Sequence, residues 1–297
     1  MQTIRCPLCE QDNTRLIRRR RERGLLVSTV GCLTCGMVYH NPVIGDEDRQ
    51  NLELSHRKLH TDAEVNDRQV RKQERRWALQ WPMIQQAFQP GFRVLEVGCG
   101  LGTVGGKLQR LGARVWGVEP DPEQAAYARE QWGLTIFTAR FEEVDWPGEH
   151  FDLILASHVI EHSPDPLTFL IKARALAHAE TRLFLETPNI LTPKVSFRRL
   201  FSLAHNFYFA PQTLSRLLLK AGWQVERLNV WRRDSFQLLA HPATPQEPPA
   251  DPQISQEVLK AIARHRYRYY LKLLFIWRKI PWWQKYWMYT PDPRYGG

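Results

Sequence analysis

The chain has 297 residues, enough for one large domain with appendages, and its 43% hydrophobic content is that of an ordinary globular protein. No apolar run reaches the roughly 18 residues of a membrane span. We also expect a cytoplasmic protein, because the first residues form no apolar signal segment. The formal net charge of +10 favours anionic partners such as nucleic acid, phospholipid or an anionic glycan, without choosing among them.

Four cysteines near the N-terminus form two C-x-x-C pairs, Cys6 with Cys9 and Cys32 with Cys35. In a reducing compartment this spacing indicates a tetrahedral structural zinc site rather than disulfides. A redox pair or a degenerate site without metal remains the alternative. We predict a zinc ribbon over residues 1–43, with a core so small that it needs the metal to fold.

The following segments predict an α/β fold. Residues 44–91 are interpreted as a helical lead-in, and residues 92–240 alternate strands with helices. Such alternation indicates a doubly wound, mostly parallel seven-stranded sheet that is covered on both faces. The predicted strands span residues 93–97, 114–118, 134–138, 151–156, 181–186, 223–230 and 235–240, and the predicted helices span 102–111, 122–131, 166–177 and 211–221. A tight connection at residues 232–234 predicts that the last two strands form an antiparallel hairpin at the sheet edge.

A glycine motif follows the first predicted strand of this sheet. The strand runs into Gly98, Gly100 and Gly102, where the backbone can turn sharply and approach a ligand with no Cβ in the way. A second apolar strand ends about twenty residues later in Glu119. This is the spacing of a nucleotide-type site in a doubly wound sheet, in which the second acid binds a ribose.

The identity of the nucleotide depends on Glu96, two residues before the first glycine. The segment from Gly100 to Gly105 also fits the dinucleotide pattern, so NAD is an alternative, as is a glycine turn without a ligand. A carboxylate would repel a pyrophosphate but attract the ammonium and sulfonium groups of S-adenosylmethionine (SAM). Glu96-x-Gly98-x-Gly100-x-Gly102 resembles motif I of class I SAM-dependent methyltransferases, which implies that Glu119 binds the ribose hydroxyls.

Further segments, at residues 151–166, 185–189 and 207–223, resemble methyltransferases of the ubiquinone-biosynthesis O-methyltransferase type. The cysteine knuckles resemble the N-terminal zinc module of a bacterial subset, many of them linked to sugar or natural-product methylation. The resemblance covers residues 1–240 and implies SAM as the cofactor. We expect Phe141 and Ser157 to complete the cofactor site.

Catalysis by such an enzyme requires an acceptor held near the methyl carbon and a group that removes its proton. His158 and His162 lie four residues apart and would share one face of a helix. His158 is predicted to be the base or the acceptor-orienting group, a structural histidine being the alternative. With Glu161 and His205 the pair also looks like part of a divalent-metal site. However, His158 stands where the similar E-x-x-E-H pattern of small-RNA and quinone O-methyltransferases has an acid.

The C-terminal part of the sequence changes composition. Residues 241–253 contain five prolines and are interpreted as a linker. Residues 254–297 form a basic and aromatic, largely helical extension. Its composition suits an anionic membrane surface, single-stranded nucleic acid, or packing on the catalytic domain or on the second subunit of a homodimer.

The sequence therefore predicts a SAM-dependent methyltransferase with a structural zinc. The expected acceptor is a hydroxyl, less readily a carbon, of a sugar, a glycolipid or another biosynthetic intermediate. The first alternative is an RNA methyltransferase that grips RNA with the zinc ribbon and the basic ends. The second alternative is an NAD-binding or catalytically inactive interaction module.

Overall fold

The structure is a computed structural model that describes residues 2–22, 24–45, 67–230 and 235–279. Its strands are β1 (Thr14–Glu22), β2 (Leu25–Cys32), β3 (Val38–His40), β4 (Arg93–Val97), β5 (Arg114–Val118), β6 (Thr135–Phe137), β7 (Phe151–Ser157), β8 (Ala177–Pro188), β9 (Phe207–Tyr208), β10 (Trp223–Val230) and β11 (Ser235–Pro242). Its helices are α1 (Asp67–Ile84), α2 (Thr103–Arg110), α3 (Pro122–Trp132), α4 (Pro166–Ala175), α5 (Phe197–Leu200), α6 (Pro211–Lys220) and α7 (Pro252–Lys279), with short 3₁₀ turns at Phe141–Glu143 and Ile160–His162.

The larger sheet has seven strands in the order β10-β11-β8-β7-β4-β5-β6. The pairs from β8 to β6 are parallel, whereas β11 runs antiparallel to both of its neighbours, β8 and β10. The predicted fold class, a mostly parallel seven-stranded sheet with a hairpin edge, is confirmed. The connection predicted at residues 232–234 lies outside the described residues. The carboxyl ends of β4, β5 and β7 meet at one edge of the sheet, which is where a doubly wound fold binds ligands.

Strand β8 is longer than the predicted segment 181–186 and begins directly after α4. The helix ends because the backbone N–H of Leu176 donates to the carbonyls of Ala173 and Arg174 in a tightened last turn. The hydroxyl of Thr181 then donates to the carbonyl of Phe151 at 2.6 Å. This side-chain bond lies where the β7–β8 register shifts, between Phe151 and Leu153. Strand β8 continues on both sides of the shift and therefore starts earlier than its apolar pattern suggests.

The N-terminal strands form a second sheet that also takes in a strand from the α/β part of the chain. Its order is β1-β2-β3-β9, and all neighbours are antiparallel. Strand β9 belongs to the segment between β8 and α6, and it pairs with β3 through Val38 with Tyr208 and Tyr39 with Phe207. The cysteine-bearing region is therefore joined by backbone hydrogen bonds to the segment that follows β8.

The fully buried Asn206 strengthens this junction. Its side-chain oxygen accepts from the backbone N–H of Ile44 at 3.2 Å, and its amide donates to the carbonyls of Ile44 and Ser163, both at 3.3 Å. Its backbone N–H donates to the carbonyl of Glu161, and its own carbonyl accepts from the N–H of His40, both at 2.8 Å. One residue thus holds the end of the ribbon against the turn that follows β7.

The first half of α7 packs on the ribbon and on the segment after β8. Ile254, Val258 and Ile262 are buried in a cluster with residues of β3, α5 and β9. The hydroxyl of Ser255 donates to the carbonyl of Cys32 at 3.0 Å. For this half of the extension, the contacts favour the packing interpretation.

The aromatic end of the extension lies outside the described residues, which include neither residues 280–297 nor the side chain of Trp277. The membrane-surface and nucleic-acid interpretations that rest on the aromatic residues of this end are therefore untested. Within the described residues, no helix has the length and the apolar content needed to cross a bilayer.

Replacing Asn206 should destabilise the whole domain. Asn206→Ala leaves the buried N–H of Ile44 and two carbonyls without their partners, and an unsatisfied buried group costs about 1–3 kcal/mol. We expect the free energy of unfolding, measured by urea denaturation, to fall by about 2 kcal/mol or more. Asn229→Ala on the exposed part of β10 is the matched control. A loss within about 0.5 kcal/mol, the usual range for a surface change, would contradict the role assigned to Asn206.

Candidate active site

The loop between β4 and α2 depends on glycine because its backbone is left-handed and closely approached. Gly98 has a φ of 66°, and a Cβ on it would lie 2.4 Å from Cγ2 of Val159. The N–H groups of Gly98 and Cys99 both donate to the carbonyl of Val118, at 2.8 and 3.2 Å. These contacts bind the loop to the end of β5, beside the predicted ribose acid.

Glu119 holds this loop in place through both of its carboxylate oxygens. Its Oε2 accepts from the backbone N–H of Gly100 at 2.8 Å, and its Oε1 accepts from the N–H of Asp121 at 2.9 Å. Glu119 is 7% exposed and lines a cavity of about 440 Å³. A carboxylate oxygen can accept more than one hydrogen bond, so Glu119 can hold the loop and bind ligand hydroxyls together.

This space, the glycine-loop cavity, brings together most of the predicted site residues. The predicted residues that line it are Gly98, Gly100, Glu119, Phe141, Ser157, His158 and His162. The ring of Phe141 also packs on Phe169 with centroids 5.0 Å apart. Residues that were not singled out from the sequence complete the wall, including Gln73 and Arg76 from α1.

Glu96 and Gly102 were predicted to contact the cofactor, but they are not among the residues that line this cavity. The Oε2 of Glu96 accepts from the backbone N–H of Gly105 at 2.8 Å. Helix α2 begins after Gly102, whose φ of 69° provides the turn but which has no capping side chain, so Glu96 satisfies the N–H that an N-cap residue would satisfy. Burial raises the pKa of Glu96 to about 8, and the charge of Glu119 adds to this although the bond from Gly105 opposes it. The contacts of Glu96 are thus those of a buried helix cap.

His158 lies between two carboxylates at the end of β7. Its backbone is left-handed, with a φ of 56°, and its N–H donates to the carbonyl of Glu186 at 2.8 Å. Its Nδ1 lies 3.2 Å from Oε1 of Glu161, and its Nε2 lies 3.8 Å from Oε1 of Glu186. The other oxygen of Glu161 accepts from the hydroxyl of Thr187 at 3.0 Å. The imidazole is therefore oriented from two sides by acids of the sheet edge.

Ser157 and Glu186 are themselves fixed from α1. The buried amide of Gln80 donates to Oγ of Ser157 at 2.7 Å and to Oε2 of Glu186 at 2.6 Å. The hydroxyl of Ser157 also donates to this oxygen, at 3.1 Å. The helix that was interpreted only as a lead-in therefore supplies part of the support for the site.

The charges around His158 shift several pKa values. Burial lowers the pKa of His158, but the hydrogen bond to Glu161 and the charges of Glu161 and Glu186 raise it more, against a small opposing effect of Arg76, so that it lies above 6.5. Burial raises the pKa of Glu161, but the bond to His158 and the charges of the neighbouring histidines lower it to about 2. Burial lowers the pKa of His205 to about 4. The pKa values of His158 and His205 are thus shifted in opposite directions, upward by the carboxylates beside His158 and downward by the burial of His205.

His162 faces a different direction from His158. Residues 160–162 form a single 3₁₀ turn, so the two histidines do not share a helix face. The Nδ1 of His162 donates to the carbonyl of Ala204 at 2.6 Å, and its ring meets that of His205 edge-on at 4.7 Å. The ligand atoms of Glu161, His162 and His205 lie within 4.8 Å of one another, and His158 is outside this group. Hydrogen bonds within the protein already hold Glu161 and His162 in place, so a metal ion at these residues stays a prediction.

A second cavity, of about 1030 Å³, lies beside the first one, and we call it the arginine-lined cavity. His158 and His205 line both cavities. Its remaining wall comes from β1, from the segment after β8, and from α5 and β9. From the sequence, the arginines of β1 belong only to a basic end of the chain, because no local signal indicates that the ribbon docks at the sheet edge.

The four predicted zinc ligands converge on one point. The Sγ atoms of Cys6 and Cys35 lie 3.4 Å apart, as do those of Cys9 and Cys32, and all four lie within 4.8 Å of one another. A tetrahedron with zinc–sulfur distances of about 2.3 Å places its sulfurs about 3.8 Å apart. The donor set and its size therefore fit a structural zinc ion.

Comparisons with known proteins agree with this geometry. A family model described as a methyltransferase domain matches residues 67–228, more than half of the chain. The chain therefore belongs to this methyltransferase family, as its motifs predicted.

Two relatives are ubiquinone biosynthesis O-methyltransferases. The one from Cereibacter sphaeroides is 41% identical over 91 residues, which are 29% of this chain and 37% of that protein. The one from Bradyrhizobium diazoefficiens is 36% identical over 104 residues, which are 33% of this chain and 41% of that protein. The chain thus spans less than half the length of these curated relatives. The solved structure of the PH0226 protein from Pyrococcus horikoshii OT3 has a TM-score of 0.50 at 15% identity and covers 60% of this chain and 92% of that chain, a likeness of fold alone.

Replacing Glu119 should weaken cofactor binding. Hydrogen bonds to a charged group contribute about 1.5–3 kcal/mol each, so we expect the affinity of Glu119→Ala for SAM to fall at least about tenfold in calorimetry. Glu123→Ala, one turn further and exposed, should bind SAM normally. Unchanged affinity in a folded Glu119→Ala protein would show that Glu119 does not hold the ribose.

The cysteine cluster should bind one zinc ion per chain. We expect Cys32→Ser to lose this metal, whereas Cys99→Ser, which alters the cysteine of the glycine loop, should keep it when both are measured by metal analysis. Since β3 pairs with β9, loss of the metal should increase hydrogen exchange at residues 207–208 more than in β4 and β5. A purified wild-type protein with less than about half an equivalent of zinc would contradict the assignment.

Proposed function

We propose that this protein transfers a methyl group from SAM to a hydroxyl of a biosynthetic intermediate such as a sugar or a glycolipid. The observation that carries the proposal is the position of His158, which lines both cavities and is oriented by two carboxylates. In this proposal SAM occupies the glycine-loop cavity, and the acceptor enters the arginine-lined cavity. The O-methyltransferase relatives support a hydroxyl as the acceptor group.

The residues of the glycine-loop cavity suit this cofactor. Its wall combines the glycine loop, whose N–H groups are fixed on β5, with the Glu119 carboxylate and the ring of Phe141. Its volume of about 440 Å³ is in the range of ligand sites. When bound, SAM supplies an electrophilic methyl carbon on a good leaving group. The protein then has to position the acceptor and remove a proton.

In the proposed mechanism, His158 accepts the proton of the acceptor hydroxyl. Glu161 and Glu186 raise the pKa of His158 above its ordinary value, which makes its neutral imidazole a stronger base. Glu161 holds Nδ1–H, so Nε2 is the atom that can face the acceptor. Glu186 lies 3.8 Å from this atom and stabilises the imidazolium that results. His162, which bonds to the carbonyl of Ala204, shapes the turn in this proposal and does not move a proton.

A metal-assisted reaction is the second candidate, and the convergence of Glu161, His162 and His205 favours it. Two imidazoles and one carboxylate suit zinc or another transition metal better than Mg²⁺, which prefers oxygen ligands. Activity that disappears with EDTA and returns with a divalent ion, in protein that keeps its ribbon zinc, would establish this mechanism in place of the first.

Membrane-surface binding and a homodimer remain predictions for the extension at residues 254–297. Arg266 and Arg268 accompany Tyr267 and Tyr270, which are 65% and 49% exposed. Cations and aromatic side chains together suit an anionic lipid surface. Sedimentation with anionic vesicles, compared with neutral ones, and light scattering of the full chain would test these two predictions.

The Glu161–His158 pair should set the pH dependence of the enzyme. Neutral His158 is required, so activity should rise with pH through a midpoint above 6.5. Glu161→Gln removes the partner that raises the pKa of His158, so the imidazole should titrate at a lower pH. NMR titration of the His158 ring measures this shift without knowledge of the acceptor, and the rate profile should follow it.

Glu130→Gln, an exposed glutamate on α3, is the control and should leave the titration unchanged. His158→Gln should lower turnover by about 10²–10⁴-fold, the range for loss of a general base, while SAM affinity remains normal. Normal turnover of His158→Gln would reduce His158 to a structural residue.

A further inference from the structure

The arginine-lined cavity has more positive charge than methyl transfer to a neutral hydroxyl requires. Its charged lining residues are the cations Arg18, Arg20, Arg21, Lys194 and Arg199 and the acid Glu22. The arginines at positions 18, 20 and 21 come from β1 of the ribbon, whereas Lys194 precedes α5 and Arg199 lies within it. They meet because β9 docks the ribbon against the segment after β8.

Local structure fixes part of this charge at the cavity. Arg18, Arg20 and Glu22 alternate along β1 and therefore lie on one face of the strand. Arg18 donates from Nη1 to the carbonyl of Phe197 at 3.0 Å, which ties β1 to α5. Arg20 forms an ion pair with Glu22. Among the described residues that line the cavity, the acid thus offsets one cation, and the cations outnumber the acids.

Such a surplus is a recognition feature in a concave site. Like charges repel one another, and low-dielectric walls focus their field, so an anion in the cavity is attracted strongly. The planar guanidinium group fits phosphate oxygens with two parallel hydrogen bonds, and arginine is therefore the common residue at phosphate sites. Four of the five cations here are arginines.

We propose that the acceptor carries a phosphate group, in particular a diphosphate ester, that binds between β1 and α5. The inference rests on the proposed function, because it places the reacting hydroxyl of the same molecule at His158. The cavity of about 1030 Å³ is at the upper end of the range for small-molecule sites. It can therefore hold a diphosphate together with the group that bears the hydroxyl.

The test uses the full chain saturated with S-adenosylhomocysteine and titrated calorimetrically with two probes, uridine 5′-diphosphate and inorganic pyrophosphate. The variant is Arg21→Gln with Arg199→Gln, since both side chains are exposed at the cavity. The control is Arg15→Gln with Arg114→Gln, which removes the same charge from exposed positions outside the cavity. Succinate and sulfate at equal ionic strength test whether any anion suffices.

We expect the wild-type protein to bind at least one of the two probes at one site. The cavity variant should bind it at least about tenfold more weakly, whereas the control variant should bind it normally and all three proteins should bind S-adenosylhomocysteine equally. Tighter binding of the nucleotide than of pyrophosphate would show that the nucleoside is also recognised.

Other outcomes would overturn the inference. If the wild type binds S-adenosylhomocysteine but neither probe, or if the control variant loses as much affinity as the cavity variant, the phosphate site is wrong and the proposed function stands. Failure to bind S-adenosylhomocysteine would instead contradict the proposed function itself. A single-stranded RNA that displaces the probe, binds more tightly and shows a steep salt dependence would indicate that the acceptor is RNA and not a small molecule.

Discussion

The pairing of β3 with β9 is the contact on which the rest of the site depends. It is short, with Val38 and Tyr39 opposite Tyr208 and Phe207, yet it joins a ribbon with four convergent thiols to the turn that carries the histidines. Asn206, directly before β9, adds bonds to Ile44 and to the turn after β7. The cysteine cluster, the wall of the arginine-lined cavity and the turn after β7 are thereby linked in one packed unit.

The carboxylate of Glu161, which is 1% exposed, is a buried charge inside this unit. A buried charge costs several kcal/mol unless it is paired and hydrogen-bonded. Here His158 pairs with one oxygen of Glu161, and Thr187 donates to the other. Burial shifts the pKa of each group toward its neutral form, and the neighbouring charges shift it back further. The pKa of Glu161 is therefore lowered and that of His158 is raised.

Local patterns predicted the parts of the molecule that depend on local sequence. The apolar strands, the left-handed glycines and the acid after β5 follow from periodicity and from backbone sterics, so the sheet and most of the glycine-loop cavity were predictable. Glu96 was assigned to the cofactor because its charge suits SAM, but its partner is the N–H of Gly105. Only the structure shows that α2 begins directly after Gly102, which has no side chain to cap the helix.

Long-range docking accounts for most of what the sequence did not predict. Arg18 and Arg20 lie far along the chain from His158, and nothing in their spacing indicates that they share a cavity with it. Gln80 likewise reaches Glu186 across more than 100 residues. The left-handed backbone of His158, which prevents it from sharing a helix face with His162, also has no local sequence signal.

Strand β1 has a second consequence that concerns solubility. Within the described residues it is the outermost strand of its sheet, and an outermost strand offers a row of open backbone groups to any other chain that approaches it. Its sequence, TRLIRRRRE, has five arginines in nine residues. Two such strands repel each other, so edge-to-edge stacking of molecules is opposed at this position. Neutralising several of these arginines together would therefore expose the protein to fibre-like self-association.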